Sequence, residues 1–372
     1  MKILILSWRG PGHPQAGGAE LSTHEHAKAW VKAGHEVVLF TSSVLGAKSK
    51  QIINGVEVVR KGDEVFGVQI AAFFWVLFGK HPKFDLVVDQ FHGIPFFTPL
   101  YVRTKKLAFI HEVTKEVWKL NPWPKPFNLI PWVVGSLFEP LIFKLFYKNI
   151  PFMTVSKSTK SDLAAWGIPK RNITVVYNGV TVVRPKPFPK KEKEKTAMFL
   201  GALSKDKGIE DEIEIFSLID QMDAGWQFWV VGKGDKKMTE FLISNVKELD
   251  MENKVKFWGY VSNRNKFELL AKAHVMVNTS IREGWGLVNI EASSMGTPVV
   301  GYRVPGVSDS VVNGKTGLLV KRGNLKGAAQ AVIFLTRNFQ RYSQMQKNAI
   351  VWSMKFKWSE AGKNSMQLIA GL

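Results

Sequence analysis

Two carboxylates eight residues apart, Glu283 and Glu291, bracket the run Gly-Trp-Gly-Leu-Val-Asn-Ile. On one continuous helix they would be splayed by about 80°. The glycines at 284 and 286 allow a break instead, with Glu283 in a loop and Glu291 in a helix that begins near Leu287. Each acid can then face a different part of one ligand. A carboxylate accepts several hydrogen bonds, which suits the neighbouring hydroxyls of a sugar or a ribose. The N–H groups of Gly286, Leu287 and Val288 stand at the helix start, where no intrahelical acceptor exists, and suit a diphosphate. The spacing therefore fits a nucleotide-sugar, with ribose at one acid, diphosphate at the amides and sugar at the other acid. The same residues also read as one acid favouring the helix dipole beside an unrelated exposed glutamate.

Other residues invite similar weighing. Gly17 and Gly18 follow a first strand and precede a first helix, where backbone N–H groups can approach a phosphate; the plain alternative is a flexible turn. The loop is neither a G-x-G-x-x-G nor a Walker pattern, and "VGKGD" at 231–235 lacks the Walker spacing too. Lys207, in "LGALSKDKG", can meet a phosphate or stand solvated at a helix start. His111 comes just after an apolar strand, where it can serve a substrate hydroxyl or be a satisfied structural histidine. His24 and His26 have no third ligand in view, so a polar helix face is favoured over a metal site. His35 reads as a turn residue.

These residues need elements to hold them. A chain of 372 residues exceeds one ordinary core, so two domains are expected. Hydrophobic content of 45% and charged content of 22% fit a globular protein. There is no cysteine, which excludes disulfides, thiolate metal sites and a thiol nucleophile. The net charge of +20 and pI near 9.8 imply a lysine-rich surface or attraction to an anionic partner. The apolar start "MKILILSW" is too short for a secretory signal. The apolar stretches at 66–79 and 129–147 read as non-spanning: the first is short, and the second is interrupted by proline, Glu139 and Lys144. The second can lie on a membrane surface.

Short apolar runs alternate with helical patterns from "KILILSW" to "NITVVYNGV", the reading of buried parallel strands joined by helices. The proline- and lysine-rich stretch at 183–195 reads as a linker. After it the alternation restarts with "TAMFLGALSKDKG" and ends near "GLLVKRG". The fold class is α/β, with two doubly wound, Rossmann-like domains expected to face each other across a cleft lined by the loops at the carboxyl ends of their strands. The expected division is residues 1–182, a linker at 183–195, residues 196–352, and a helix at 353–372.

The run "SIREGWGLVNIEASSMGTPVVGYRVPG" resembles the C-terminal signature of the GT-B retaining glycosyltransferases of family 4, with its E-x7-E motif and following G-x-P-V-V strand. "PQAGGAE" followed by "GHEVVLFTS" is similar to that family's N-terminal phosphate loop. "VYNGV" and "LGALSKDKG" resemble its pNGV and GRLxxxKG segments. The matches run in order over nearly the whole chain. The resemblance implies that Gly17 and Gly18 approach the donor phosphate or the transferred sugar and that His111 contacts the sugar near its reacting carbon. It implies that Lys207 neutralises the diphosphate, that Glu283 holds the transferred sugar and that Glu291 holds the ribose. It further implies a 1–182 acceptor-side domain, a nucleotide-sugar domain at 196–352 and a C-terminal helix packing back on the first. No metal or other cofactor is expected, only a nucleoside-diphosphate sugar as donor. No residue stands out as a covalent nucleophile.

One departure matters. Where the family has an arginine this chain has Ala202, and Lys205 or Arg282 is the candidate replacement for the missing cation at the diphosphate. The alternative is a non-catalytic sugar-nucleotide-binding or scaffold relative; a nucleotide-sugar hydrolase or epimerase is a further rival. Trp and Phe interleaved with Lys over 116–149 suit an interfacial surface. The expected acceptor is therefore a saccharide or a lipid-linked glycan in cell-surface synthesis. The expected location is the cytoplasm, with peripheral contact at the inner face of an anionic membrane. No nucleic-acid motif supports a nucleic-acid partner.

Overall fold

The computed structural model describes residues 1–64, 67–91, 93–120 and 127–372. Three sequence readings touch residues outside these: the first residue of the apolar stretch at 66–79, His92 in the loop after the strand at 86–91, and positions 121–126 of the aromatic stretch. The chain forms two compact units. One is Met1–Gly179 with Lys357–Leu372, and the other is Val180–Phe356.

Unit 1 begins with β1 (Lys2–Ser7), α1 (Gly18–Lys32), β2 (Glu36–Thr41), β3 (Lys50–Ile53), β4 (Val56–Arg60) and α2 (Gly67–Phe78). It continues with β5 (Leu86–Phe91), α3 (Thr98–Tyr101), β6 (Lys105–Ile110), α4 (Leu129–Ile142), β7 (Phe152–Thr154), α5 (Lys157–Ala165) and β8 (Ile173–Val175). The sheet order is β3-β4-β2-β1-β5-β6-β7-β8. All pairs are parallel except β3 with β4. Ile3, Leu4, Ile5 and Leu6 are buried on both faces of β1, as a central parallel strand demands.

Unit 2 contains β9 (Lys195–Leu200), α6 (Ile209–Met222), β10 (Trp226–Val231), α7 (Lys236–Glu248), β11 (Val255–Gly259), α8 (Asn263–Lys272) and β12 (Val275–Asn278). Then come α9 (Leu287–Ser294), β13 (Val299–Tyr302), α10 (Val307–Ser310), β14 (Gly317–Val320), α11 (Leu325–Arg337) and α12 (Phe339–Ser353). Its sheet is fully parallel in the order β11-β10-β9-β12-β13-β14. The strand order reverses between β9 and β12, and at such a point the loops beyond the carboxyl ends open a crevice. One loop there carries Lys207 and the other carries Glu283. The last helix, α13 (Trp358–Ala370), packs in unit 1 against α1.

Two local readings change. The segment at 183–195 is not a free linker, because its contacts tie it to unit 2. Glu192 donates its N–H to the Lys272 carbonyl at 3.0 Å. Lys191 Nζ reaches the Ala273 carbonyl at 2.5 Å and Thr297 Oγ1 at 2.8 Å. Burial pulls the Lys191 ammonium down from its ordinary 10.5 to about 7. Folded, it binds fewer protons than the unfolded chain between those two values, so this lysine adds stability as pH rises through the window. Unfolding midpoints measured from pH 7 to 10 should therefore climb more in the wild type than in Lys191→Met, by the equivalent of roughly a few kcal/mol.

The second change concerns 129–147. Its two prolines, the acid and the lysine do not interrupt the helix. α4 runs through Pro140 and continues as a π-helix over Phe143–Tyr147. Pro140 lacks the N–H that would bond one turn back, and the tail of the helix departs from α geometry. By length and composition this 19-residue helix suffices to cross a membrane, the one such helix among the described residues.

Candidate functional site

The loop after β12 is tied down by buried polar groups. Asn278 Nδ2 donates to Asn289 Oδ1 at 2.8 Å, and Asn289 Nδ2 donates to Ser310 Oγ at 2.8 Å. Thr279 Oγ1 lies 2.7 Å from the Gly208 carbonyl and 3.2 Å from Glu212 Oε1, and its N–H reaches the same oxygen at 3.1 Å. Burial pushes the Glu212 carboxyl well above the usual carboxylate range. This network holds the turn at Lys207–Gly208 against the end of β12. Gly208 is obligatory there: its φ is +71°, and a Cβ would lie 2.3 Å from the Thr279 carbonyl oxygen.

Glu283 stands in the loop and Glu291 in α9, which starts at Leu287 with Gly286 as its N-cap. Lys207 Nζ donates to Glu283 Oε1 at 2.9 Å, and Ser280 Oγ donates to the same oxygen at 2.8 Å. The Glu283 N–H bonds the Pro305 carbonyl at 3.1 Å. Glu291 Oε1 accepts from Lys266 Nζ, on α8, at 2.6 Å. The two side chains are only 13% and 19% exposed. Burial raises the Glu291 carboxyl while Lys266 pulls it back toward ionisation. The N–H groups of Leu287 and Val288 lie in the first turn of α9 between the two acids. Unit 2 thus assembles Lys207, Glu283, the α9 start and Glu291 around the switch point of its sheet. Ala202 and Lys205 are exposed in the loop after β9, and Arg282 is buried beside Glu283 in sequence.

Lys266, Thr279, Glu212 and Ser280 escape the sequence reading. Glu212 and Lys266 sit on α6 and α8, far along the chain from the loop and acid they hold, and no spacing announces such pairs. Lys266→Met leaves Glu291 buried without its cation, so its carboxyl is expected to titrate at higher pH than in the wild type. A carboxyl-carbon NMR titration of both proteins checks this.

In unit 1, Gly17 is the N-cap of α1 and Gly18 its first residue. The Gly17 N–H donates to Glu20 Oε2 at 2.7 Å, so an approaching anion must displace this carboxylate. A Cβ on Gly17 would meet nothing closer than that oxygen at 3.7 Å, so packing does not demand glycine there. His111 lies just beyond β6, 5% exposed, with its ring 4.4 Å from that of Phe109. Its carbonyl accepts from Thr159 Oγ1 at 3.0 Å. Behind it, buried Glu139 of α4 accepts the N–H of Thr114 at 2.9 Å and Trp118 Nε1 at 2.9 Å. Burial raises this carboxyl too. A cavity of about 320 Å³ beside α4 is lined by Lys115, Lys119, Trp132, Ser136, Glu139 and Trp166, among others.

The histidine pair does not form a polar helix face. His24 is buried and bonds Asn54 Oδ1 at 3.0 Å. His26 bonds Ser365 Oγ of α13 at 3.0 Å, and burial lowers its pKa to about 4. Both are structural. His35 lies between α1 and β2, 3.0 Å from the N-terminal amine.

Residues 16–184 match the model described as Glycosyltransferase Family 4, and residues 184–352 match that of Glycosyl transferases group 1. The chain is 24% identical over 371 residues to a glycogen synthase of Mycobacterium tuberculosis, covering 89% of this chain and 85% of that one. The sucrose-phosphate synthase of Thermosynechococcus elongatus, a GT-B glycosyltransferase, superposes with a TM-score of 0.81 at 19% identity, covering 100% of this chain and 98% of that one. HepE of Anabaena, solved in complex with UDP-glucose, superposes with a TM-score of 0.72 at 19% identity over 100% of both chains.

Proposed function

The chain belongs to the family 4, group 1 glycosyltransferases and has their GT-B fold, and on that premise we propose that it transfers a sugar, with retention, from a nucleoside-diphosphate sugar to a saccharide or lipid-linked acceptor. The acceptor serves cell-surface glycan or glycolipid synthesis, and the protein works in the cytoplasm with peripheral contact at the inner face of an anionic membrane. The observation that carries this reading is the pair of acids flanking the N-terminus of α9, each fixed by its own lysine. In it Glu291 accepts the ribose hydroxyls, the amides of Gly286, Leu287 and Val288 face the diphosphate, and Glu283 accepts hydroxyls of the transferred sugar. Lys207 meets the charge that develops on the leaving diphosphate. Gly17, Gly18 and His111 keep the roles that the family resemblance gives them. The complex of HepE with UDP-glucose supports a donor of this class. The indoles of Trp132 and Trp166 in the cavity beside α4 suit the apolar face of a sugar on the acceptor.

The test is to incubate the protein with UDP-, GDP- and ADP-sugars, with and without extracted lipid-linked and soluble glycans, and to read the product by NMR. A glycoside with the donor's anomeric configuration supports the proposal. Free sugar alone, formed equally without acceptor, supports a hydrolase. Ala202 motivates one other reading. If Lys205 and Arg282 do not replace the missing arginine, a donor sugar binds and is never consumed, and the chain is a non-catalytic relative.

A further inference from the structure

The outward faces of α2, α3 and the helix Leu129–Tyr147 are apolar and lie side by side. On α2, Phe74 is 55% and Phe78 77% exposed; on α3, Leu100 is 64% exposed; on the long helix, Leu137 is 65% and Leu145 64% exposed. Ring contacts join the three elements. Phe73 of α2 meets Tyr101 of α3 with centroids 5.0 Å apart, and Phe97, just before α3, meets Phe146 of the π-helical turn at 6.0 Å. Buried Asp89 of β5 pins two of them from beneath, accepting from Thr98 Oγ1 at 2.7 Å and Tyr147 Oη at 2.6 Å. The patch is a built platform, not a scatter of surface residues.

Its charge selects the occupant. Across 67–78, 98–101 and 129–148 the single acid is Glu139, which is buried. Exposed cations stand at the ends of all three elements: Lys80 after α2, Arg103 after α3, and Lys144 and Lys148 on and after the long helix. An apolar face fringed by these cations, with its own acid buried and exposed Asp63 set before the start of α2, complements the headgroup and upper acyl region of an anionic bilayer. The long helix does not span, although its length suffices. Phe143 and Tyr147 are in the core of unit 1, and Glu139 on the same helix holds the loop behind His111.

We infer that α2, α3 and the Leu129–Tyr147 helix together form a monotopic seat on an anionic lipid surface. This rests on the peripheral-contact reading above and extends it, because α2 and α3 take part as well as the aromatic stretch. It is independent of the donor assignment.

The test is co-sedimentation of the full chain with vesicles of phosphatidylcholine alone or mixed with phosphatidylglycerol, at low and high salt. The wild type is expected to pellet with the anionic vesicles, less so at high salt, and to be released by an alkaline carbonate wash. Phe74→Glu with Phe78→Glu, and separately Leu137→Glu with Leu145→Glu, should each lower partitioning at least roughly tenfold. Melting temperatures without vesicles control for folding. If either pair lowers them, Leu100→Glu serves in its place. A wild type that stays in the supernatant overturns both this inference and the peripheral-contact reading. Wild-type binding that the α2 substitutions leave intact overturns this inference alone. Retention through the carbonate wash means a spanning helix and overturns it. So does a vesicle-free dimer that the same substitutions dissociate, because the face would then bind a second copy.

Discussion

Glu283→Gln is expected to slow sugar transfer by roughly 10²–10³-fold while changing nucleoside-diphosphate affinity less than about threefold. The side chain keeps its shape, and one oxygen still accepts from Lys207 Nζ and Ser280 Oγ, now 2.9 and 2.8 Å away. What disappears is the charge, and with it one acceptor for the sugar hydroxyls. A transferring sugar gains positive character at its reacting carbon, so a fixed carboxylate beside it stabilises the transition state more than the bound donor. Initial rates of nucleoside-diphosphate release, set beside calorimetric titration with the same diphosphate, separate the two effects. An equal fall in rate and affinity would place Glu283 in diphosphate binding instead.

The second large effect belongs to a residue that touches no ligand. Gly306 has φ +78°, and a Cβ there would lie 2.0 Å from the Glu283 carbonyl oxygen and 2.6 Å from the Glu283 Cβ. Gly306→Ala must therefore push the Glu283 loop away as well as strain its own backbone. A loss of stability on the order of 2–4 kcal/mol is expected. Transfer should fall by about a hundredfold, since displacing a positioned group by about 1 Å has that consequence. Gly314→Ala is the control. Gly314 has φ +77° but nothing within 4 Å of its would-be Cβ, so it should show only backbone strain of about 1 kcal/mol and full activity. Denaturant unfolding and transfer rates on the two variants make the comparison.

The repeating architecture was legible because parallel strands are buried on both faces. "KILILS" reads as a continuous apolar run and "LVVDQF" and "WQFWVV" as mostly apolar ones, and each is an interior strand. The edge strand β3 was not, since "KQII" alternates in exposure and pairs antiparallel with its neighbour. Glu283 and Glu291 were found because their spacing and glycines are local. Lys266 was invisible because the acid it holds lies on another helix, and composition misled at Lys191, where a lysine- and proline-rich segment hides a buried ammonium. The same limit applied to His24 and His26. With no third ligand in view a polar face is the favoured reading, but α13 from the far end of the chain covers one of them. At 129–147 the prolines argue against a helix, and Glu139 and Lys144 break the apolar run without breaking a helix. Here Glu139 turns inward to hold the loop behind His111, and the π-helical turn carries the helix on past Pro140.

The claim at the centre is that Glu291 and the start of α9 hold the nucleoside diphosphate of a sugar donor. Calorimetric titration of the wild type and Glu291→Ala with UDP, GDP and ADP tests it most directly. One nucleotide should bind the wild type selectively, and Glu291→Ala should weaken it at least about tenfold. Binding of none of the three, or binding that Glu291→Ala leaves unchanged, would contradict it.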